Sequence, residues 1–276
     1  MRNNLVIGTG RNLALVVVAA TALIAGGAVL PHTASGGMIF TDTFDSGTGA
    51  WYKGGTGGTL TNASGELSWA PGTAGVDQII GRSFTTTPVG VGESIRLTFD
   101  YRQTGASVNI LRIGLFDVET PIAADNWAGG NAIGPWEGYY TFVRDNSSAG
   151  NVARRESGTN TSSSNFPTFG GSSIGSNTTQ YNINQNGTTT YQGLFEVFRT
   201  SETEMQTLFT LSSNSTTHFS VAGTTSTTQD AFNTVVLRSS GGTSLFDNVA
   251  VTFIPEPGTW LLLLSAVACG LLVRRR

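Results

Sequence analysis

The sequence predicts an all-β fold, a two-sheet antiparallel sandwich or jelly roll, and three observations carry that prediction. Short apolar clusters alternate with polar residues at period two, Gly, Asn, Asp and Ser clusters separate them, and no amphipathic helix interrupts the body. Charged residues make up 12% of the chain, so hydroxyls and amides supply most of its polarity, as on a strand-rich surface. With 276 residues the chain is long enough for one large β-domain.

The N-terminus comes first. Arg2 and Arg11 precede "NLALVVVAATALIAGGAVLPHTASG", an apolar run that dissolves into small residues. That layout predicts a secretory signal peptide over residues 1–35 and an exported body. The body, residues 36–254, opens with "IFTDTF", a strand with one wet face, and "DSGTG", a turn. "GELSWA" and "DQIIGRSFTT" follow as strands. "SIRLTFDY" has the cleanest alternation, with Ile95, Leu97, Phe99 and Tyr101 on one face and Arg96, Thr98 and Asp100 on the other. "VNILRIGLFDV" carries apolar groups on both faces, which marks an inner strand of a layered sheet. A long aromatic-bearing loop, "ETPIAADNWAGGNAIGPWEG", leads into "YYTFVRD". Residues near 146–190 are dominated by Ser, Thr, Asn and Gly and read as an elaborated loop or a partly disordered one. Strand character returns with "YQGLFEVFRTS", "MQTLFTLSS", "THFSVAG", "FNTVVLRSS" and "SLFDNVAVTFI", with no hinge-like change in composition, so one domain is expected.

Residues 255–276 form a different object. Trp260–Val273 is a 14-residue apolar run, short of the roughly 20 residues that cross an average bilayer. Trp260 at one end and Arg274, Arg275 and Arg276 at the other are membrane-flanking residue types that lengthen the effective span. A C-terminal transmembrane helix is the expectation. Pro255 and Pro257 keep the last strand from running into it.

Charge and cysteine content narrow the function classes. Between residues 36 and 254, ten Lys and Arg stand against seventeen Asp and Glu, a net charge of −7. Such a surface lacks the basic footprint that nucleic acid needs. The single cysteine, Cys269, lies in the apolar tail, so the body has no disulfide and no thiolate metal ligand.

Two resemblances attach to these residues. Pro255-Glu256-Pro257, the apolar run and the terminal arginines resemble the PEP-CTERM sorting signal. The resemblance implies an exosortase-type membrane sorting enzyme as partner, a transient membrane anchor, and delivery to the cell surface or extracellular matrix. "DTFDSGTGAWY" at the start of the body and "SLFDNVAVTFI" at its end resemble laminin G and concanavalin A-like sandwiches. That likeness implies neighbouring first and last strands, which would bring Asp42, Asp45 and Asp247 together with Asn248 as oxygen ligands for calcium.

Site chemistry in the body is sparse. His218 sits in strand-like "THFSV" with no nucleophile elbow nearby. Glu66, Asp100, Asp117, Glu137 and Glu196 are the carboxylates from which a glycosidase pair could be drawn, with Glu66 and Glu196 in strand contexts. Trp127 and Trp136 lie in the aperiodic loop and are expected to be exposed, as candidate rings for stacking on sugars, whereas Trp51 and Trp69 are expected in the core. The reading that follows is a non-enzymatic, surface-sorted structural or adhesive protein, with carbohydrate binding, including extracellular polysaccharide, as the alternative and a glycan-active enzyme third. A face with exposed aromatics would favour glycan binding, and paired carboxylates beside them would favour chemistry.

Overall fold

A computed structural model describes residues 37–73, 75–105, 110–127, 136–144, 151–157, 172–177, 183–226 and 228–256. Fifteen strands are found there: β1 (Gly37–Asp42), β2 (Tyr52–Lys53), β3 (Thr59–Ala63), β4 (Glu66–Ala70), β5 (Ile79–Pro88), β6 (Ser94–Thr104), β7 (Ile110–Asp117), β8 (Glu137–Arg144), β9 (Asn151–Ser157), β10 (Ser172–Asn177), β11 (Tyr191–Ser201), β12 (Glu204–Ser213), β13 (Thr216–Thr225), β14 (Ala231–Ser240) and β15 (Thr243–Ile254). They form two antiparallel sheets. The first runs β13-β12-β11-β6-β15-β4-β3, with β1 also paired to β15, and the second runs β10-β9-β8-β7-β14-β5-β2.

Period-two alternation builds the space between the sheets. Ile95, Leu97, Phe99 and Tyr101 of β6 point inward as the sequence predicts, beside Phe195 and Val197 of β11 and Val249 and Val251 of β15. Leu111, Ile113 and Leu115 of β7 and Val235 and Leu237 of β14 meet them from the second sheet. Trp51 and Trp69 are buried in the same core, as expected. Gly193 of β11 has no side chain because the Phe99 ring occupies the space: a Cβ there would lie 2.0 Å from the ring.

The first and last strands are neighbours, with Asp42 opposite Val249. One edge of β15 pairs with β6 along nearly its whole length. Its other edge pairs with β4 over Ser244–Phe246 and then with β1 from Val249 onward. A bulge at Asp247–Asn248, with Asn248 in the left-handed region at φ 49°, marks the change of partner.

Two sequence expectations are corrected. The described chain is all-β, its one helical element being the four-residue 3-10 turn Gly75–Gln78, and no helix among the described residues is long and apolar enough to cross a membrane. The transmembrane helix is therefore removed from the fold class. The expected signal peptide, and with it Pro257, Trp260, Arg274, Arg275 and Arg276, lies outside the described residues, while Pro255 and Glu256 follow β15 without regular structure. The second correction concerns the segment near 146–190, which contributes β9 and β10, paired in sequence from the edge of β8. Composition alone reads such segments as loops, but a free ladder edge on β8 offers their backbone groups partners. β10 then lies against β13 of the other sheet: a Cβ on Gly175 would sit 1.9 Å from the Ala222 carbonyl oxygen, and the Asn177 amide donates to the Ser220 carbonyl.

Gly193→Ala is expected to overpack the core against Phe99 and cost about 1–3 kcal/mol. A thermal melt should show a Tm lower by several degrees; an unchanged Tm would mean that the ring moves aside without cost.

Candidate functional site

Each sheet has an outward face, and the two differ. On the second sheet Ile79, Phe116, Tyr140, Phe142 and Val236 form a second apolar cluster with Val118, Ile122 and Trp136 from the segment after β7. That segment is pinned down residue by residue. Asn233 Oδ1 accepts from the Val118 N–H at 2.9 Å, Ser83 Oγ accepts from the Ile122 N–H at 2.8 Å, and Asp125 Oδ1 accepts from the Lys53 N–H at 2.9 Å. The face is thus covered, which explains why β7 is apolar on both sides.

Trp127 and Trp136 belong to this cover, and their expected exposure is corrected. Their rings stack at 5.4 Å and 19°. Trp136 is 7% exposed and packs edge-on to Phe116 at 5.6 Å. Trp127 is half-buried, lies over Gly81, and donates its Nε1–H to the Tyr52 carbonyl at 3.1 Å. Their rings serve packing here.

The expected calcium ligands are not assembled either. Asp42 turns toward the second sheet, where Oδ2 accepts from Trp51 Nε1 at 2.7 Å and pairs with Arg82. Asp45 accepts from the Thr43 hydroxyl at 2.6 Å. Asp247 lies opposite Asp100, with the Asn248 amide between them. Among the described residues no group of three or more His, Cys, Asp or Glu is placed to hold a metal.

The outward face of the first sheet is uncovered and polar. Glu196 of β11 lies opposite Arg96 of β6, and Arg96 Nη2 reaches its two oxygens at 3.1 and 3.2 Å while Ser94 Oγ donates at 2.6 Å. Glu66 pairs with Arg102, whose Nε donates at 3.0 Å. Both carboxylates singled out from strand contexts are therefore held by arginines. Asp117 sits elsewhere, at the end of β7 in the second sheet, bound by the Gln229 and Asn233 amides, and Glu137 is opposite it on β8. His218 Nε2 bonds Ser213 Oγ at 2.6 Å at the β12–β13 turn.

Asp100 and Asp247 are directly opposite each other on β6 and β15. One Asn248 amide nitrogen bridges them, at 2.8 Å to Asp100 and 3.2 Å to Asp247. Burial raises the Asp247 carboxyl above its ordinary pKa; the Asn248 backbone N–H opposes the shift, and the charges of Asp100, Glu66 and Asp45 add to it.

A shallow cleft of about 400 Å³ opens on the same face over β11, β12 and β13. Phe198, Leu208 and Ala222 give it apolar surface, and Glu196, Gln206 and Thr224 give it polar groups. Leu208 is 38% exposed, one of three large hydrophobics so exposed among the described residues. The sequence contains a signal for this site: in "MQTLFTLSS" Met205, Phe209 and Leu211 point inward, and Leu208 is apolar out of phase.

No family model matches the chain, and no curated protein matches it. The expected sorting enzyme partner, PEP-CTERM identity and membrane-anchored localisation are therefore withdrawn; the sorting reading rested on the tail alone. Solved structures do resemble the fold. A protein of unknown function with a galectin-like fold from Bacillus subtilis aligns with TM-score 0.49 and 10% identity over 79% of this chain and 97% of its own. The CBM2 module of the evolved Dit of Lactobacillus casei BL23 phage J-1 gives 0.46 and 8%, over 80% and 97%. A marine PL-14 alginate lyase from Aplysia kurodai gives 0.45 and 12%, over 78% and 98%. These are likenesses of sheet architecture alone. Fold does not decide activity, so the expectation that the body is no enzyme is not kept.

A carboxyl whose folded pKa is raised contributes stability that is present below its unfolded pKa and lost as pH rises through the folded value. Asp247→Asn is thus expected to raise Tm at neutral pH and to lose that advantage below about pH 3.9. Parallel melts from acid to neutral pH check this, and a gain that does not depend on pH would assign the effect to packing.

Proposed function

We propose that this protein binds carbohydrate through the uncovered face of its first sheet. One observation carries the reading: the cleft sets apolar surface from Phe198, Leu208 and Ala222 beside Glu196, Gln206 and Thr224. A sugar ring has both kinds of surface, apolar C–H faces and a rim of hydroxyls, and concave sites lined by apolar side chains with a few placed polar groups suit such ligands. Arg96 and Ser94 orient the Glu196 carboxylate, so it is a fixed acceptor for a hydroxyl and needs no ordering on binding. The same pairing neutralises its charge, which favours an uncharged sugar.

The Asp100–Asp247 pair supports a second reading, glycan cleavage on the same face. Retaining glycosidases place two carboxyl groups roughly 5–5.5 Å apart, one of them protonated at working pH. Two carboxylates sharing one bridging amide, one of them with its pKa raised by burial, have the components for acid–base work.

Screening against an array of neutral and acidic glycans, followed by calorimetry on the best ligand, tests the main reading. Leu208→Asp is expected to weaken binding by at least roughly tenfold, or about 1.4 kcal/mol, with Tm within a degree or two of the parent because the residue points outward. Wild-type affinity in that variant would remove the cleft as the site. Reducing-end release from the bound glycan tests cleavage: activity lost in both Asp100→Asn and Asp247→Asn supports it, and none in the parent protein ends it.

A further inference from the structure

The register of the first sheet extends the cleft into something longer. From β13 to β1 the outward residues Ser220, Thr210, Leu194, Thr98, Ala250 and Thr41 are consecutive cross-strand partners. None is charged, and none has a side chain longer than leucine. Ser220 and Thr41 are exposed and the other four are partly exposed.

Longer polar side chains stand on both sides of this row. On one side Glu196 and Arg96 are opposite each other and ion-paired; beyond them that side is low at Thr252 on β15 and continues to the exposed Met38 on β1. On the other, Gln192, Asp100 and Asp247 follow one another across β11, β6 and β15, with Asn248 bridging the last two. The result is a furrow perpendicular to the strands with a low floor, flanked by long polar side chains over β11 and β6 on one side and over β11, β6 and β15 on the other. The first wall drops at Leu208 and Ala222, the partners of Glu196 across β12 and β13. There the furrow opens into the cleft. Five steps at an interstrand spacing of about 4.8 Å give it a length of about 24 Å.

We infer that the furrow holds an extended, uncharged polysaccharide chain, several sugar units laid end to end across the strands and engaged along the chain instead of at its terminus. The inference rests on the carbohydrate-binding reading. A floor of hydroxyls and short apolar groups lets flat rings lie close to the sheet, and the walls supply acceptors to either side. Charge selects the occupant. Arg96 and Arg102, the cations of this part of the face, are both paired to carboxylates, whereas Asp100 and Asp247 are in no ion pair among the described residues. A polyanionic chain would run beside two uncompensated carboxylates and find no cation to offset them.

The test is affinity against chain length, by calorimetry with neutral oligosaccharides of one backbone from monosaccharide to octasaccharide, alongside uronate oligomers of matched length. Affinity is expected to climb by roughly tenfold or more, about 1.4 kcal/mol, between the disaccharide and the hexasaccharide, with uronates bound weakly at every length. Ala250→Trp should return long chains to the affinity of the disaccharide while leaving disaccharide binding unchanged. Thr41→Trp, at the exposed far end, should weaken only the longest oligomers, and its position on the surface keeps the test valid if Ala250→Trp does not fold. A disaccharide bound as tightly as the octasaccharide would overturn the furrow and leave the cleft standing. Uronates bound as tightly as neutral chains would overturn the charge argument. No binding at any length would overturn the carbohydrate reading itself.

Discussion

The first sheet depends on where β15 lies. The last strand of the domain is not an edge: it separates β6 from β4 and β1, and its ladder to β6 joins the two halves of the sheet. The sheet cannot be completed until the chain has been made almost to Ile254. Every contact of β15 with β1 spans the length of the domain, and ordering such contacts requires closing the largest loop available. The bulge at Asp247–Asn248 is the local counterpart of that arrangement. A strand that serves two partners in turn on one edge must absorb a mismatch between them, and Asn is among the few non-glycine residues that accept a left-handed backbone. The same bulge presents Asp247 and Asn248 to solvent opposite Asp100, so a device of topology also sets one wall of the outer face.

The two outward faces show how one architecture divides its labour. The second sheet is apolar on both sides and buries its outer side under a segment fastened through Ser83, Asn233 and Lys53. The first sheet is continuously apolar only inside, and outside it sets hydroxyls, amides and arginine-paired carboxylates beside a few apolar side chains such as Phe198 and Leu208. Burying the ion pairs would be expensive, whereas leaving them wet costs little and keeps them rigid enough to present fixed acceptors. Function on this molecule is therefore expected on the side that needs no cover.

Much of the fold is legible in residue order. The alternation in β6 and the doubly apolar β7 identify a core strand and an inner strand, and Trp51 and Trp69 are where the pattern puts them. The site is legible less well, for physical reasons. Trp127 and Trp136 sit in a segment without periodicity, which resembles an exposed loop until the outward residues Phe116, Tyr140 and Val236 are seen to need a cover. Asp42 and Asp247 do come from neighbouring strands, but one faces Arg82 and the other faces solvent, because a strand sends successive side chains to opposite sides and the bulge shifts the count. The rows that cross the sheet depend on register, and register is fixed by long-range pairing that no local window contains. β9 and β10, rich in Ser and Asn, are strands because β8 offers an edge and not because their own residues demand it.

Open sheets carry a hazard at their margins, where unpaired N–H and C=O groups can recruit another chain. Here β10 lies against one margin, with Gly175 close to the Ala222 carbonyl and the Asn177 amide on Ser220. On the opposite side the margins are the five-residue β3, whose Asn62 amide is tied to the carbonyls of Phe44 and Gly47, and the six-residue β1. One margin is obstructed and the others are short. Copies of this chain crowded at high local density therefore meet at first-sheet margins that offer a neighbour little to pair with.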